Sequence, residues 1–397
     1  MPSQLDTMSD VAAIVLDVGS CQTKGGFAGE ALPRAVVPSC VGSAYVGDAA
    51  EPQGVSEVAA KMSRVHYHGL AELGSRRKGM EIRKVMGDGG LVGDWDALER
   101  VWEHVILRGL KADPRQHPVL LSEPVHNTPE IRAQICGSVF ESHQVPALFI
   151  SKDAVLTAYA SGRPTTLVFN SGAGLTTATP VLDGWALACK SLHSNAGGDS
   201  ISQALIAALD GQGERLCPAP MVASIGVDMD TGSFTASYRR FWLNQLAHDI
   251  KASGCISFSR AGSSASSASK STTQQTFTLP DGKQIIISEA VSAQLAQTGF
   301  GTDNVALKSG DTSASVTESS GYAKLITDAI RKAGLNVEQT KLLYGNVIIS
   351  GGNTLLPGFT ERLTADVYSR LNAIHANLGS KLSVVSNIAL TVAVSRF

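Results

Sequence analysis

Residues 12–29 read AAIVLDVGSCQTKGGFAG, and residues 165–184 read TTLVFNSGAGLTTATPVLDG. Each stretch is an apolar, β-rich run that ends on a short polar residue, Asp17 or Asn170. A small Gly/Ser cluster follows, Val18-Gly19-Ser20 in one and Ser171-Gly172-Ala173-Gly174 in the other, and a second extended run returns. A strand–turn–strand with Gly and Ser at its tip presents backbone N–H groups with no Cβ in the way. Two such tips facing each other would grip a chain of phosphates from both sides. One alone is an ordinary hairpin turn. Two of the same grammar, at equivalent places in the two halves of the chain, predict a duplicated lobe with a nucleotide cleft between the copies. VIISGG, residues 347–352, is a third strand that ends on a turn, Gly351-Gly352, able to face a nucleoside or a phosphate.

The bulk numbers leave room for this architecture. The chain has 397 residues, enough for two or more packed domains. It is 43% apolar and 17% charged with a net charge of −2, so no global field argues for nucleic acid or an anionic membrane. Its six cysteines show no C-x-x-C spacing and read as reduced, packed thiols of an intracellular protein. The apolar runs are too short and too often broken by Gly or charge to span a bilayer. The N-terminus, MPSQLDTMSD, lacks the basic-then-apolar order of a secretory signal.

Strand and helix patterns alternate, as in an α/β protein. The first lobe is expected over residues 1–160, with 38–85 as a small, irregular excursion that carries Arg76-Arg77-Lys78, a solvated charge run. DWDALERVWEHVILRGLK (94–111) predicts a helix capped by Asp94 or Asp96, with Leu98, Val101, Trp102, Val105 and Ile106 on its core face. HPVLLSE (117–123) predicts a buried strand. Thr128-Pro129 opens a helix running to about His143, VPALFIS is another strand, and Lys152–Ser161 is a helix closed by Gly162. The second lobe is expected over 161–397, with 196–298 as its own small subdomain. That part holds a helix at 238–252 and a mobile Ser-rich insertion, 260–276. A hairpin turning on Pro280-Asp281-Gly282 follows, then helices near 322–333 and from about Pro357.

GGFAGEALPRAVVPS, YVGDAA, GLVGDWDALERVWEH, HPVLLSEP, AVLTAYASGR, DIKASGC and ISGGNTLLPGF together resemble actin along almost the whole chain. The resemblance implies the two-lobed α/β superfold shared by actin, sugar kinases and heat-shock chaperone ATPases, with a nucleotide cleft between the lobes. HPVLLSEPVHNT, SKDAVLTAYASGRPTTLVFNSGAGLTTATPVLDGWAL and TFTLPDGKQIIIS are most similar to the actin-related protein 4 class, nuclear actin-like subunits of chromatin-remodelling and histone-acetyltransferase complexes. Between Gly42 and Tyr45 there is almost nothing, where conventional actin carries its long subunit-contacting loop.

The resemblance also implies roles, residue by residue. Asp17, Gly19, Ser20 and Lys24 match the first phosphate loop, and Gly172 and Gly174 the second. Gly197 and Lys251 match positions that line the nucleoside. Gly351, Gly352 and Asn353 match the adenosine turn, although Leu356 stands where the family has an aromatic residue. Arg396 replaces a lysine that packs on adenine. The implied cofactor is ATP with Mg2+ or Ca2+, the metal reached from Asp17 through water. The departures fall on the chemistry: Asn170 and Ala173 stand where actin has carboxylates, Thr177 where it has histidine, and Asp153 where a glutamine orients the attacking water. Phosphoanhydride hydrolysis needs a positioned metal and an aligned water, whereas phosphate binding by backbone N–H groups survives these losses.

The expected function is therefore a nucleotide-binding, non-filament-forming scaffold subunit of a nuclear chromatin-remodelling or histone-acetylation complex, acting in transcription regulation and DNA repair, with weak or no ATP hydrolysis. The implied partners are actin, a helical segment of a remodelling ATPase, other chromatin-complex subunits, and nucleosomes or histones, with no membrane. The implied location is the nucleus, with the cytoplasm second. An active cytoskeletal actin-like ATPase and a small-molecule kinase of the same superfold stand as alternatives. KLSVVSNIALTVAVSRF (381–397) approaches the family's return crossing, and the helices that complete the first lobe are expected to be missing after it.

Overall fold

The computed structural model describes residues 12–45, 64–75, 77, 79–222, 234–258, 275–301, 321–374 and 383–386. The chain begins with the predicted hairpin, β1 (Ile14–Val18) and β2 (Gln22–Phe27), and continues into β3 (Ala35–Pro38) and β4 (Cys40–Tyr45). β4 is unbroken, so no loop intervenes between Gly42 and Tyr45. β5 (Arg64–Tyr67), α1 (Gly69–Gly74) and β6 (Glu81–Lys84) follow. The excursion is more regular than its sequence suggests: β5, β4 and β6 form a three-stranded antiparallel sheet with β4 at its centre. Gly and Ala give this region little hydrophobic periodicity, and cross-strand pairing supplies the order instead. Of its charge run only Arg77 is described.

Asp94 accepts the N–H of Ala97 at 2.9 Å and so caps α2 (Trp95–Glu103), which runs on as a π-helical turn, His104–Leu110. Then come β7 (Val119–Glu123), α3 (Pro129–Glu141), capped by Thr128, β8 (Leu148–Lys152) and α4 (Asp153–Ala160), ended by Gly162 at φ +64°. The first-lobe sheet has the order β3-β2-β1-β7-β8. Leu16, Leu121 and Ile150 stand side by side across it and bury against Leu98, Val101, Trp102, Val105 and Ile106, the predicted core face.

The second lobe repeats the plan. Its hairpin is β9 (Thr166–Ser171) and β10 (Thr176–Leu182), extended by β11 (Trp185–Ala186) and β12 (Leu192–Ser194). Next are α5 (Gly198–Gly211), α6 (Ala219–Val222), α7 (Ala236–Ala252), the hairpin β13 (Gln275–Thr278) and β14 (Gln284–Ile287), and α8 (Glu289–Phe300). The chain continues through α9 (Tyr322–Ala333), α10 (Val337–Gly345), β15 (Val347–Ser350), α11 (Phe359–Ile374) and β16 (Val384–Ser386). The sheet order is β11-β10-β9-β15-β16. β9 is antiparallel to β10 and parallel to β15, as β1 is antiparallel to β2 and parallel to β7.

Much of 196–298 packs into the main core of the second lobe, while Met221, Tyr238 and Trp242 pack into another cluster. Ile201, Leu205, Leu246, Ile285 and Leu295 share one apolar core with Phe169, Ile326, Ile349 and Phe359. Rings of Phe169, Phe258, Phe300, Tyr322 and Phe359 fill its centre, with Phe300 and Tyr322 centroids 5.0 Å apart. Of the Ser-rich insertion, residues 260–274 lie outside the described residues, and 275–276 begin β13. The six cysteines are free thiols, with Cys40 buried and Cys21 and Cys189 exposed. No helix among the described residues is long and apolar enough to cross a membrane.

Burial holds His66, His68, His104, His143, His193 and His248 below the usual imidazole pKa, His68 at about 4. Between the folded and unfolded pKa values the unfolded chain binds more protons, so this stability is intact above about 6.5 and is lost as pH falls. In Asp153→Asn, which removes a buried carboxyl of opposite sign, urea unfolding at pH 5 is expected to show a lower midpoint than at pH 7.5, and a midpoint unchanged or raised in that variant would contradict it. Replacing His68 by Gln should flatten that dependence.

Candidate functional site

The two glycine turns meet across a cleft of about 700 Å3 between the lobes. In the β1–β2 turn, the Gly19 N–H is held by the Gln22 carbonyl at 3.0 Å; in the β9–β10 turn, the Gly172 N–H is held by that of Leu175 at 2.8 Å. The N–H groups of Ser20, Ala173 and Gly174 have no backbone acceptor among the described residues. The turns touch: a Cβ on Gly174 would stand 2.6 Å from Ser20 Oγ. A Cβ there would displace the Ser20 hydroxyl and lie 3.1 Å from the Ser20 Cβ, so the contact favours small residues on both sides.

The second turn is braced from behind. The N–H groups of Gly198 and Asp199, at the start of α5, donate to the carbonyls of Gly172 and Ala173 at 2.9 and 2.7 Å. Asn353 is buried, and its Nδ2 donates to Gly172 O at 2.9 Å and to Ser171 Oγ at 3.1 Å. Gly351, at φ +96°, lets the third turn pass against the Ser171 carbonyl.

The cleft floor carries two carboxylates. Asp17 accepts a short hydrogen bond from Ser122 Oγ and lies opposite Lys24 in the β1–β2 register. Asp153, the first residue of α4, accepts the Ala154 N–H at 2.7 Å and a hydrogen bond from the Asn170 side chain. Burial, with Asp17 nearby adding to it, raises the Asp153 carboxyl to about 6 despite those bonds. Behind the floor, Glu123 is 1% exposed and pairs with Arg132 at 2.7 Å and Lys152 at 2.9 Å. On the outer wall, Lys84 and Asp199 pair across the cleft at 3.1 Å, and the buried Lys251 donates to Gly198 O at 2.8 Å.

A family model described as Actin matches residues 8–391. The chain belongs to the actin family. A protein of Oryza sativa subsp. indica named Actin-related protein 4 is 33% identical over 391 residues, covering 90% of this chain and 85% of that protein. An Arabidopsis thaliana protein of the same name is 31% identical over 390 residues, with 90% and 85% covered. One from Yarrowia lipolytica is 26% identical over 396 residues, with 94% and 85% covered.

In this actin-family cleft, Asp17, Gly19, Ser20, Lys24, Gly172, Gly174, Lys251, Gly351, Gly352 and Asn353 all border the cavity, as do Asp153 and Asn170. Gly197 does not: it backs onto Ala173, and its neighbour Gly198 forms the wall. Arg396 lies outside the described residues. Asn353, expected on the nucleoside, spends its amide on the second turn. Sequence reasoning missed Ser122, Glu123, and a pair of histidines. His193 stands opposite Thr177 in the β10–β12 register and stacks on His126 of the first lobe at 5.4 Å. Local sequence carries no signal for that long-range pairing, whereas the charged residues Glu123, Arg132 and Lys152 around a buried strand end were visible in it.

The residues fit a polyphosphate: N–H groups at two turns with no backbone acceptor among the described residues, a glycine at Gly174 facing the Ser20 hydroxyl, and lysines on the walls. Among the described residues no group of three or more His, Cys, Asp or Glu could hold a metal ion. A bound divalent cation would thus draw most of its ligands from phosphate and water, with Asp17 beside it.

Proposed function

We propose that this actin-family protein binds ATP with Mg2+ or Ca2+ in the inter-lobe cleft, turns it over slowly or not at all, and serves as a non-polymerising scaffold in a nuclear chromatin-remodelling or histone-acetylating complex. The meeting of the two glycine turns, with three backbone N–H groups unclaimed, carries the nucleotide half of this reading. When bound, the cation would neutralise phosphate charge. Ser20 and the turn amides would hold phosphate oxygens, and Lys24 would balance their charge. Asn170 and Thr177 supply no base at neutral pH, and Asp153, the carboxylate left beside them, already accepts hydrogen bonds from the Ala154 N–H and the Asn170 side chain, which supports slow turnover.

The scaffold half draws on the likeness to relatives named Actin-related protein 4 for kinship with the actin-related proteins, and on the unbroken β4, which leaves no projecting loop at Gly42–Tyr45 for a filament contact. Trp185, 79% exposed, and Tyr159, 49% exposed, offer aromatic surface to an amphipathic helix of a partner such as a remodelling ATPase, beside actin. Purified protein is expected to bind ATP with phosphate release at or below about one turnover per hour. It should co-purify from nuclear extract with a remodelling ATPase or acetyltransferase subunit. Brisk phosphate release abolished in Asp17→Ala would instead make it an active ATPase, and filaments in polymerising salt would refute the scaffold reading.

A further inference from the structure

One polar group in the wall of the cleft has no partner among the described residues. Ser350 ends β15, is 6% exposed and borders the cavity, and its Oγ makes no hydrogen bond there. The strand shows which way it points. Val347 and Ile349 enter the main core of the second lobe, so Ile348 and Ser350 face the opposite side of the sheet. Val168, opposite Ile348 on β9, packs on that side against Ala154 and Ala158 of α4. Asn170, opposite Ser350, reaches Asp153, the first residue of the same helix.

Ser350 belongs to a row of uncharged groups. Thr177 on β10 pairs with Asn170 in register and Asn170 with Ser350, so two hydroxyls flank one amide across three adjacent strands. All three residues line the cavity. The row sits one residue inside the second glycine turn, since Ser171 follows Asn170 and Thr176 precedes Thr177. β9 and β15 are parallel and both end here, and ligands collect outside the carboxyl ends of such strands. Phosphates at the turn amides would thus meet hydrogen-bonding groups on this side and no like charge in the row. The carboxylates of the floor, Asp17 and Asp153, belong to the first lobe, and the cation proposed above would balance them. A buried hydroxyl without a partner is costly, and an anionic oxygen is the acceptor that stabilises it most.

We propose that the Ser350 hydroxyl donates to the terminal phosphate of the bound nucleotide and makes the cleft select triphosphate over diphosphate. The inference rests on the nucleotide reading above and names the part of the ligand that is read. A diphosphate occupies the turn amides and leaves Ser350 unpaired. A triphosphate extends one group further and pairs it.

The test is isothermal titration calorimetry of ATP and of ADP, each with Mg2+, on the full chain and on Ser350→Ala. The unaltered protein should bind ATP at least about tenfold more tightly than ADP. Ser350→Ala should weaken ATP about tenfold and ADP less than about twofold, so that the preference largely disappears. The substitution removes only an unpaired group, so the melting temperature of the ligand-free protein should not fall. A fall of more than about 3 °C would show Ser350 bonded within the protein and overturns the proposal. Equal affinity for ATP and ADP in the unaltered protein, equal weakening of both by the substitution, or a preference that survives it also overturns the proposal and leaves the nucleotide reading standing. No binding of either nucleotide to the unaltered protein overturns that reading itself.

Discussion

Gly351→Ala is expected to cost ~3–5 kcal/mol of stability, because two independent penalties coincide at one residue. Gly351 sits at φ 96°, ψ 156°, a region of backbone space essentially closed to residues with a Cβ. Its Cβ would fall 2.2 Å from the Ser171 carbonyl oxygen and 2.7 Å from Asn170 Oδ1. The first obstacle is backbone, so no rotamer change relieves it. The strain would push β9 and its turn away from the Ser20 side, and ATP binding should disappear with the stability. The thermal unfolding midpoint is expected to drop by roughly 5 °C. Gly352→Ala is the control: its Cβ would meet nothing within 4 Å, and its melting temperature should stay within about 2 °C of the parent. Equal behaviour of the two variants would refute this account of the third turn.

Asp153→Asn is expected to stabilise the free protein at neutral pH. A carboxyl raised from 3.8 to about 6 in the folded state costs stability wherever it is ionised. The sign follows from proton binding: between those values the native state holds the proton and the unfolded chain does not, so stability falls as pH rises from about 4 to 6. Above 6 the full cost applies, at most about 3 kcal/mol for a shift of this size. Asparagine keeps an acceptor for the Ala154 N–H and a partner for Asn170. Denaturant midpoints should therefore be higher for the variant at pH 7.5, and the two proteins should converge below about pH 4. A gain that persists at acid pH would point to packing rather than charge. If the scaffold reading is right, phosphate release stays negligible in both.

These two positions differ in how plainly the sequence announces them. Gly351-Gly352 follows an unmistakable buried strand, and the repeated hairpin grammar at Asp17 and Asn170 discloses both lobes. Local chemistry also marked the caps at Asp94 and Thr128, the stop at Gly162 and the hairpin at Asp281-Gly282, because each depends on neighbours in sequence. Pairing between distant segments was not legible. The small sheet around β4 looked irregular, since its order comes from Val41↔Arg83 and Ala44↔Val65 pairings that no periodicity encodes. The buried cluster that brings Leu73 to Trp242 was hidden for the same reason. Likewise Asn353 carries a role in bracing Gly172 that only the folded geometry assigns.

The close approach of Ser20 to Gly174 has an evolutionary corollary. Bulk at Gly174 would displace the Ser20 hydroxyl and crowd its Cβ, so the two positions constrain each other although they belong to different lobes. A methyl gained on one side must be repaid by loss of bulk on the other, or the halves drift apart. In a deep set of sequences these two columns should change together, and a lineage that enlarges both has given up a ligand held between the turns.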